Sequence, residues 1–109
     1  MAGKYELKKS KNGKFFFNLL AGNGQIVLSS ELYETKSSAL NGIESVRKNS
    51  GVDARYVKAE GKSGEPYFTL KAGNHQVIGT SQMYKAAAGR DNGVESVKTN
   101  GVTTTVKAV

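Results

Sequence analysis

The chain has no cysteine, no tryptophan, one proline and one histidine. Without cysteine there is no disulfide, no thiolate nucleophile and no Cys-ligated metal centre. The single His75 leaves every common zinc set short of ligands, and the carboxylates are scattered without a DxDxDG loop. No apolar run approaches the ~18 residues that cross a bilayer, and Met1 to Gly13 is too polar for a secretory signal. The expectation is a cytoplasmic protein that binds no membrane. Acidic residues are also scarce, 9 against 16 Lys and Arg, for a formal charge of +7. Met1 to Gly51 carries 8 basic and 4 acidic residues and Val52 to Val109 carries 8 and 5, so the excess is spread along the chain. Such a balance attracts anionic partners at long range without defining a site.

What the chain has is a repeat. Phe17 to Val46 returns as Phe68 to Val97 at the single offset 68 − 17 = 51, with Phe17/Phe68, Leu19/Leu70, Ser30/Ser81, Tyr33/Tyr84 and Glu44-Ser45-Val46/Glu95-Ser96-Val97 shared. An ungapped period of this length makes each copy one supersecondary unit. A unit of about 50 residues buries little on its own. The 109 residues are therefore expected to form one domain of two repeats, about 1–51 and 52–109, sharing one core.

Each unit opens with the alternation of half-buried strands. Tyr5 and Leu7 alternate with lysines and Glu6 over Lys4 to Lys9, Ser10 to Gly13 supplies a turn, and Lys14 to Leu20 follows. Comparison of the copies assigns Phe17 and Leu19 to the core face. Phe16, Asn18 and Leu20, which become Tyr67, Thr69 and Lys71, belong to the wetter face. A third strand over Gln25 to Ser29, matched by Gln76 to Thr80, completes an antiparallel meander. Ala39, Gly42, Ile43 and Val46 then recur at helical spacing over about Lys36 to Lys48, with Thr35 or Ser37 as cap, and Gly93, Val94 and Val97 repeat the stripe. Gly42 and Gly93 in mid-helix imply close approach of helix to sheet. Val52 to Ala59 and Val102 to Val106 read as strands leaving the helices, and Glu60 to Pro66 as a hairpin loop. The fold class expected is α+β: two tandem ββ(β)α repeats related by a pseudo-twofold, of about seven strands and two helices, each strand after a helix joining the sheet of the other copy.

Catalysis finds little support. His75 falls in a predicted turn where the first copy has Gly24, and no GxSxG elbow is present. No enzymatic activity and no cofactor are expected. Asn41 with Glu44, and Asn92 with Glu95, lie three apart on a helix and form a polar flank, either hydrogen-bonded structurally or open to a ligand. Phe16 and Tyr67 are aromatic at matched strand positions near Lys4, Lys8, Lys14, Lys58 and Lys71. Aromatics among lysines on a sheet face suit single-stranded nucleic acid, whose bases stack while the cations follow phosphates. The competing assignment places Phe16 beneath a helix in the shared core.

The run Gly22-Asn23-Gly24-Gln25-Ile26-Val27, then Ser29-Ser30, Tyr33, Lys36, Ala39 and Gly42 to Val46, followed by its second copy, resembles the small bacterial YegP-type proteins of unknown function in their duplicated form. The resemblance implies an α+β fold with a short antiparallel sheet and a helix per copy, in a bacterial cytosolic protein. It implies no activity and no catalytic residue. The second copy departs from the pattern at His75, Gly79 and Ala86 to Asp91. The functional expectation is a monomeric, non-catalytic module that binds an anionic partner, nucleic acid or an acidic protein. The alternative is a protein-interaction module that uses an edge strand or the Asn-Glu flank.

Overall fold

The doubled text folds into one sheet. The computed structural model describes residues 3–108, and its strands are β1 (Lys4–Lys9), β2 (Phe15–Leu20), β3 (Ile26–Ser29), β4 (Tyr56–Glu60), β5 (Pro66–Lys71), β6 (Val77–Thr80) and β7 (Val106–Ala108). Helix α1 (Lys36–Asn49) follows β3 and α2 (Ala87–Asn100) follows β6. The spatial order is β4-β5-β6-β3-β2-β1-β7. Apart from β7, which runs parallel to β1, that order is symmetric about the β6–β3 contact, and all other neighbours are antiparallel. At that contact β3 and β6 meet through one residue pair, Ser29 opposite Thr80. These positions are themselves related by the repeat offset, since 29 + 51 = 80, so the pseudo-twofold axis passes between them.

Local sequence explains the elements. Gly13, Gly24 and Gly64 hold positive φ in the hairpin turns, and His75 does so at φ 69° where the first copy has Gly24. Thr35 caps α1, its hydroxyl accepting the Ser38 N–H at 3.1 Å, and Ala39, Gly42, Ile43 and Val46 form the buried stripe. The second copy has Ala86 at the capping position and no side-chain cap. Ser30 and Ser81 fix the crossovers identically, each hydroxyl accepting from the N–H of Phe17 or Phe68 and donating to the next carbonyl.

Both helices cover the same face. On it Tyr5, Leu7, Phe17, Leu19, Leu28, Phe68 and Leu70 join Ile43, Val46, Val94 and Val97 in one hydrophobic cluster drawn from both copies. The helices cross the seam, α1 also packing on β5 and β6 and α2 on β2 and β3. The copies are further stitched by two tyrosines. Tyr5 donates to the carbonyl of Gly101 beyond α2, and Tyr56 donates to that of Ser50 beyond α1, both at 2.6 Å. Arg47 and Lys98, in the last helical turns, lie over the Tyr5 and Tyr56 rings. Neither helix is long and apolar enough to cross a membrane.

Two expectations require correction. The run Val102 to Val106 is not the last strand, which begins at Val106. Thr103 diverts it: its hydroxyl donates to the Gly3 carbonyl at 2.8 Å and accepts the Thr105 N–H, while its carbonyl takes the Arg47 Nε–H at 2.7 Å. The run serves as a strap anchored by the buried Thr103 rather than as a ladder. The segment leaving α1 likewise makes a short 3-10 turn, Asp53–Arg55, before β4 begins at Tyr56.

Candidate functional site

With both helices on one side, the other face of the sheet carries no helix. Register and alternation place Lys4, Glu6 and Lys8 of β1 on it, opposite Leu20, Asn18 and Phe16 of β2. Tyr67, Thr69 and Lys71 of β5 occupy the related positions, and Lys107 of β7 lies beside Glu6. Phe16 therefore does not lie beneath a helix: its neighbour on β1 is Lys8, and it is Phe17 that faces α1. The assignment of this face as wetter needs revision in the first copy, where Asn18 and Leu20 are only 6% and 7% exposed. Asn18 is flanked there by Glu6 and Ser29, and Leu20 by Lys4 and Ile26.

Of the lysines singled out with these aromatics, the structure keeps three on this face: Lys4, Lys8 and Lys71. Lys58 is opposite Phe68, on the helix side, and its ammonium lies 2.9 Å from Asp91. Lys14 precedes β2 and pairs with Glu34 at 3.1 Å. Lys107 replaces them, a residue the sequence did not single out because the strand carrying it was placed four residues too early. The four lysines on the face meet one carboxylate, Glu6, which stands 3.8 Å from both Lys4 and Lys8. Phe16 and Tyr67 are half-buried at opposite corners. Three strand spacings of ~4.8 Å and four residues of ~3.3 Å put them roughly 20 Å apart. They form two separate stacking positions rather than one platform.

Between the corners runs a polar belt that sequence reasoning missed. Asn18, Ser29, Thr80 and Thr69 are consecutive neighbours across β2, β3, β6 and β5, and the pseudo-twofold maps the belt onto itself. None of the side-chain hydrogen bonds among the described residues engages the Asn18 amide, whose donors and acceptor therefore reach solvent. The available signal was a polar residue at matched positions 18/69 and 29/80 inside otherwise apolar strands.

The Asn-Glu flank divides differently. Glu44 pairs with Arg47 and Glu95 with Lys98, one helical turn on, and Lys98 also holds Asp53. Asn41 and Asn92 are exposed beside them. The two glutamates thus anchor the cations that lie over Tyr5 and Tyr56. Asn92 and Glu95 also line an open cleft of about 670 Å³ between α2 and β4, with Asp53, Tyr56, Lys58, Asp91, Val94 and Lys98. Lys58 and the neighbouring Arg90 hold the Asp91 carboxyl below its ordinary range, and Lys98 does the same for Asp53.

Comparison with known proteins matches the domain of unknown function DUF1508 twice, over residues 10–56 and 62–107. The chain belongs to this family. Each match runs from a hairpin turn through two strands and a helix and stops one or two residues into the next strand. The UPF0339 protein of Shewanella oneidensis is 61% identical over 98% of this chain and 97% of its own length. The UPF0339 protein YegP of Escherichia coli is 54% identical over 98% and 97%. Solution NMR structures of a Shewanella oneidensis UPF0339 protein and of E. coli yegP superpose with TM-scores of 0.93 and 0.94, covering 99% of this chain and 92% and 93% of theirs. The duplicated, YegP-type resemblance and the α+β class expected from the sequence are thereby established.

Proposed function

We propose that the helix-free face binds single-stranded nucleic acid without catalysing a reaction on it. The supporting observation is the composition of that face: Lys4, Lys8, Lys71 and Lys107 against one carboxylate, with Phe16 and Tyr67 at its corners and the unbonded Asn18 amide two residues along β2 from Phe16. Lysine ammonium groups follow phosphates as point charges, half-buried rings stack on bases, and an amide offers paired donor and acceptor to a base edge. The roughly 20 Å diagonal between the rings calls for a strand several nucleotides long, crossing the belt.

Titration of the 15N-labelled protein with short single-stranded DNA and RNA at low salt tests this. Expected are shift changes clustered on β1, β2 and β5 around Lys8, Phe16, Asn18, Tyr67 and Lys71. Four phosphate contacts at ~0.7 counterions each predict a slope of log K against log salt of about −2.8, and Lys8→Ala with Lys71→Ala should halve it. No cluster on this face, or a cluster indifferent to salt, would overturn the proposal.

A further inference from the structure

The two repeats differ in charge at the corner of the sheet where β1, β2, β7 and the start of α1 meet. Leu7, Phe15 and Ala108 line a hollow of about 90 Å³ there, and Lys8, Lys9 and Lys36 complete its wall. We propose that this hollow binds a small organic carboxylate with a short branched alkyl chain. The alkyl group lies against Leu7, Phe15 and Ala108, and the carboxylate sits among the three ammonium groups.

Charge fixes the sign of the ligand. The lining holds three lysines and no carboxylate. Lys8 shares Glu6 with Lys4, at 3.8 Å from each, whereas Lys9 and Lys36 form no ion pair among the described residues. Lys9 lies instead over the Phe15 ring, 5.9 Å from its centroid. Lys36 is the first residue of α1, the end at which the helix dipole disfavours a cation, and no acidic residue stands in that turn. The fold does not require this accumulation. The matched residues of the second copy are Lys58, Ala59, Glu60, Pro66 and Ala87, whose charges cancel. The floor of the hollow then selects among anions. Inorganic phosphate has no apolar part to cover Phe15, whereas an alkyl carboxylate covers it, each buried CH₂ being worth roughly fourfold in affinity. Lysine stems extend the apolar wall while their heads stay in water beside the carboxylate. The volume is well below the ~300–1,000 Å³ of pockets that take drug-sized ligands, and it suits a short chain rather than fused rings. Only Lys8 is shared with the nucleic-acid face, so the two proposals stand apart.

The test is titration of the 15N-labelled full chain with isocaproate at constant ionic strength, beside acetate, isocaproamide and acetylated glycyl-glycyl-leucine with a free carboxyl end. Isocaproate should shift the amides of Leu7, Lys9, Phe15, Lys36 and Ala108. Burial of two or three of its carbons predicts binding at least about tenfold tighter than that of acetate, and loss of its charge should weaken isocaproamide severalfold. Lys9→Gln with Lys36→Gln, both exposed, should weaken isocaproate severalfold in a protein whose remaining spectrum is unchanged. Ala108→Leu fills the hollow from an exposed position, leaves every lysine in place and should bring isocaproate down to the level of acetate. Equal binding of isocaproate and acetate, binding of the amide as tight as that of the acid, or no shift at this corner at tens of millimolar would each overturn the proposal. A peptide that binds at least tenfold tighter than isocaproate would overturn it in favour of the chain end of a partner protein. None of these readouts requires that the nucleic-acid titration succeed.

Discussion

Gly42 and Gly93 show how one absent methyl group organises each half. A Cβ at Gly42 would stand 2.8 Å from Tyr33 Cζ and 2.9 Å from Phe17 Cε2, and one at Gly93 would stand 2.7 Å from Tyr84 Cζ and 3.1 Å from Phe68 Cε2. Each tyrosine stacks on its phenylalanine, at centroid distances of 6.2 and 6.4 Å, so the helix can settle on the sheet only where it has no side chain. Exposed helical Gly→Ala changes stabilise by about 0.5–1 kcal/mol. Here the sign reverses. Gly42→Ala and Gly93→Ala should each destabilise by about 1–3 kcal/mol through overpacking, read as a lower urea midpoint at unchanged m. Gly42→Ala combined with Tyr33→Ala should cost less stability than the sum of the two single losses, because removal of the ring relieves the clash. The sequence announced the close approach through two glycines in a buried stripe, but it did not name the partner. Tyr33 and Tyr84 lie in irregular segments, where no periodicity says which way a ring turns.

At the scale of elements, the strands and helices with a repeating pattern were legible and the strap after α2 was not. Phe17, Leu19, Phe68 and Leu70 alternate and recur, and hairpin turns carry Gly or Asn, so β1, β2, β3, β6 and α1 could be read within about two residues, whereas β4 was placed four residues too early. Thr103 has the β-branching of a strand residue, and only the tertiary position of Gly3 and Arg47 converts it into a buried anchor. Strand alternation also separated two faces without saying that both helices choose the same one, which is why Phe16 stayed undecided. The tyrosines that stitch each strand to the other copy's helix end were equally invisible, and they make stability fall at alkaline pH. Burial pushes the Tyr5 and Tyr56 phenols well above their ordinary range, and each must stay protonated to donate to a carbonyl. Below pH ~10 both folded and unfolded chains hold these protons, and the contribution is complete. Above it the unfolded chain releases them while the folded one keeps them, so the unfolded state binds fewer protons and stability declines with rising pH. Tyr5→Phe should be less stable at pH 8 by about 0.5–1.5 kcal/mol for the lost hydrogen bond. Its urea midpoint should then fall less steeply than that of the parent between pH 9.5 and 11.5. Parallel declines would mean that the Tyr5 phenol titrates alike in both states.

For the molecule as a whole, symmetry and packing conflict at the axis, and the sequence resolves the conflict by being unequal there. Leu28 and Gly79 are repeat mates, since 28 + 51 = 79, and both turn toward the helices on the strands that meet at the seam. Leu28 is 1% exposed, and a Cβ at Gly79 would lie 2.5 Å from its Cδ2 and 2.6 Å from its Cγ. Two leucines related by the axis would claim one space, so one copy fills it and the other vacates it. Size exchange tests the argument. Leu28→Gly alone should cost at least the ~3–5 kcal/mol typical of emptying a buried leucine site, and Gly79→Leu alone should clash. The exchanged pair, Leu28→Gly with Gly79→Leu, returns one leucine to the same space from the other strand. It should be more stable than the sum of the single changes predicts, with a coupling of about 1–3 kcal/mol. Because each helix packs across the seam, fluorescence of Tyr→Trp reporters at Tyr33 and at Tyr84 should follow one common urea transition in the parent and in the exchanged pair. Two separated transitions would mean that the halves fold independently and that Ser29, Thr80 and the leucine between them merely touch.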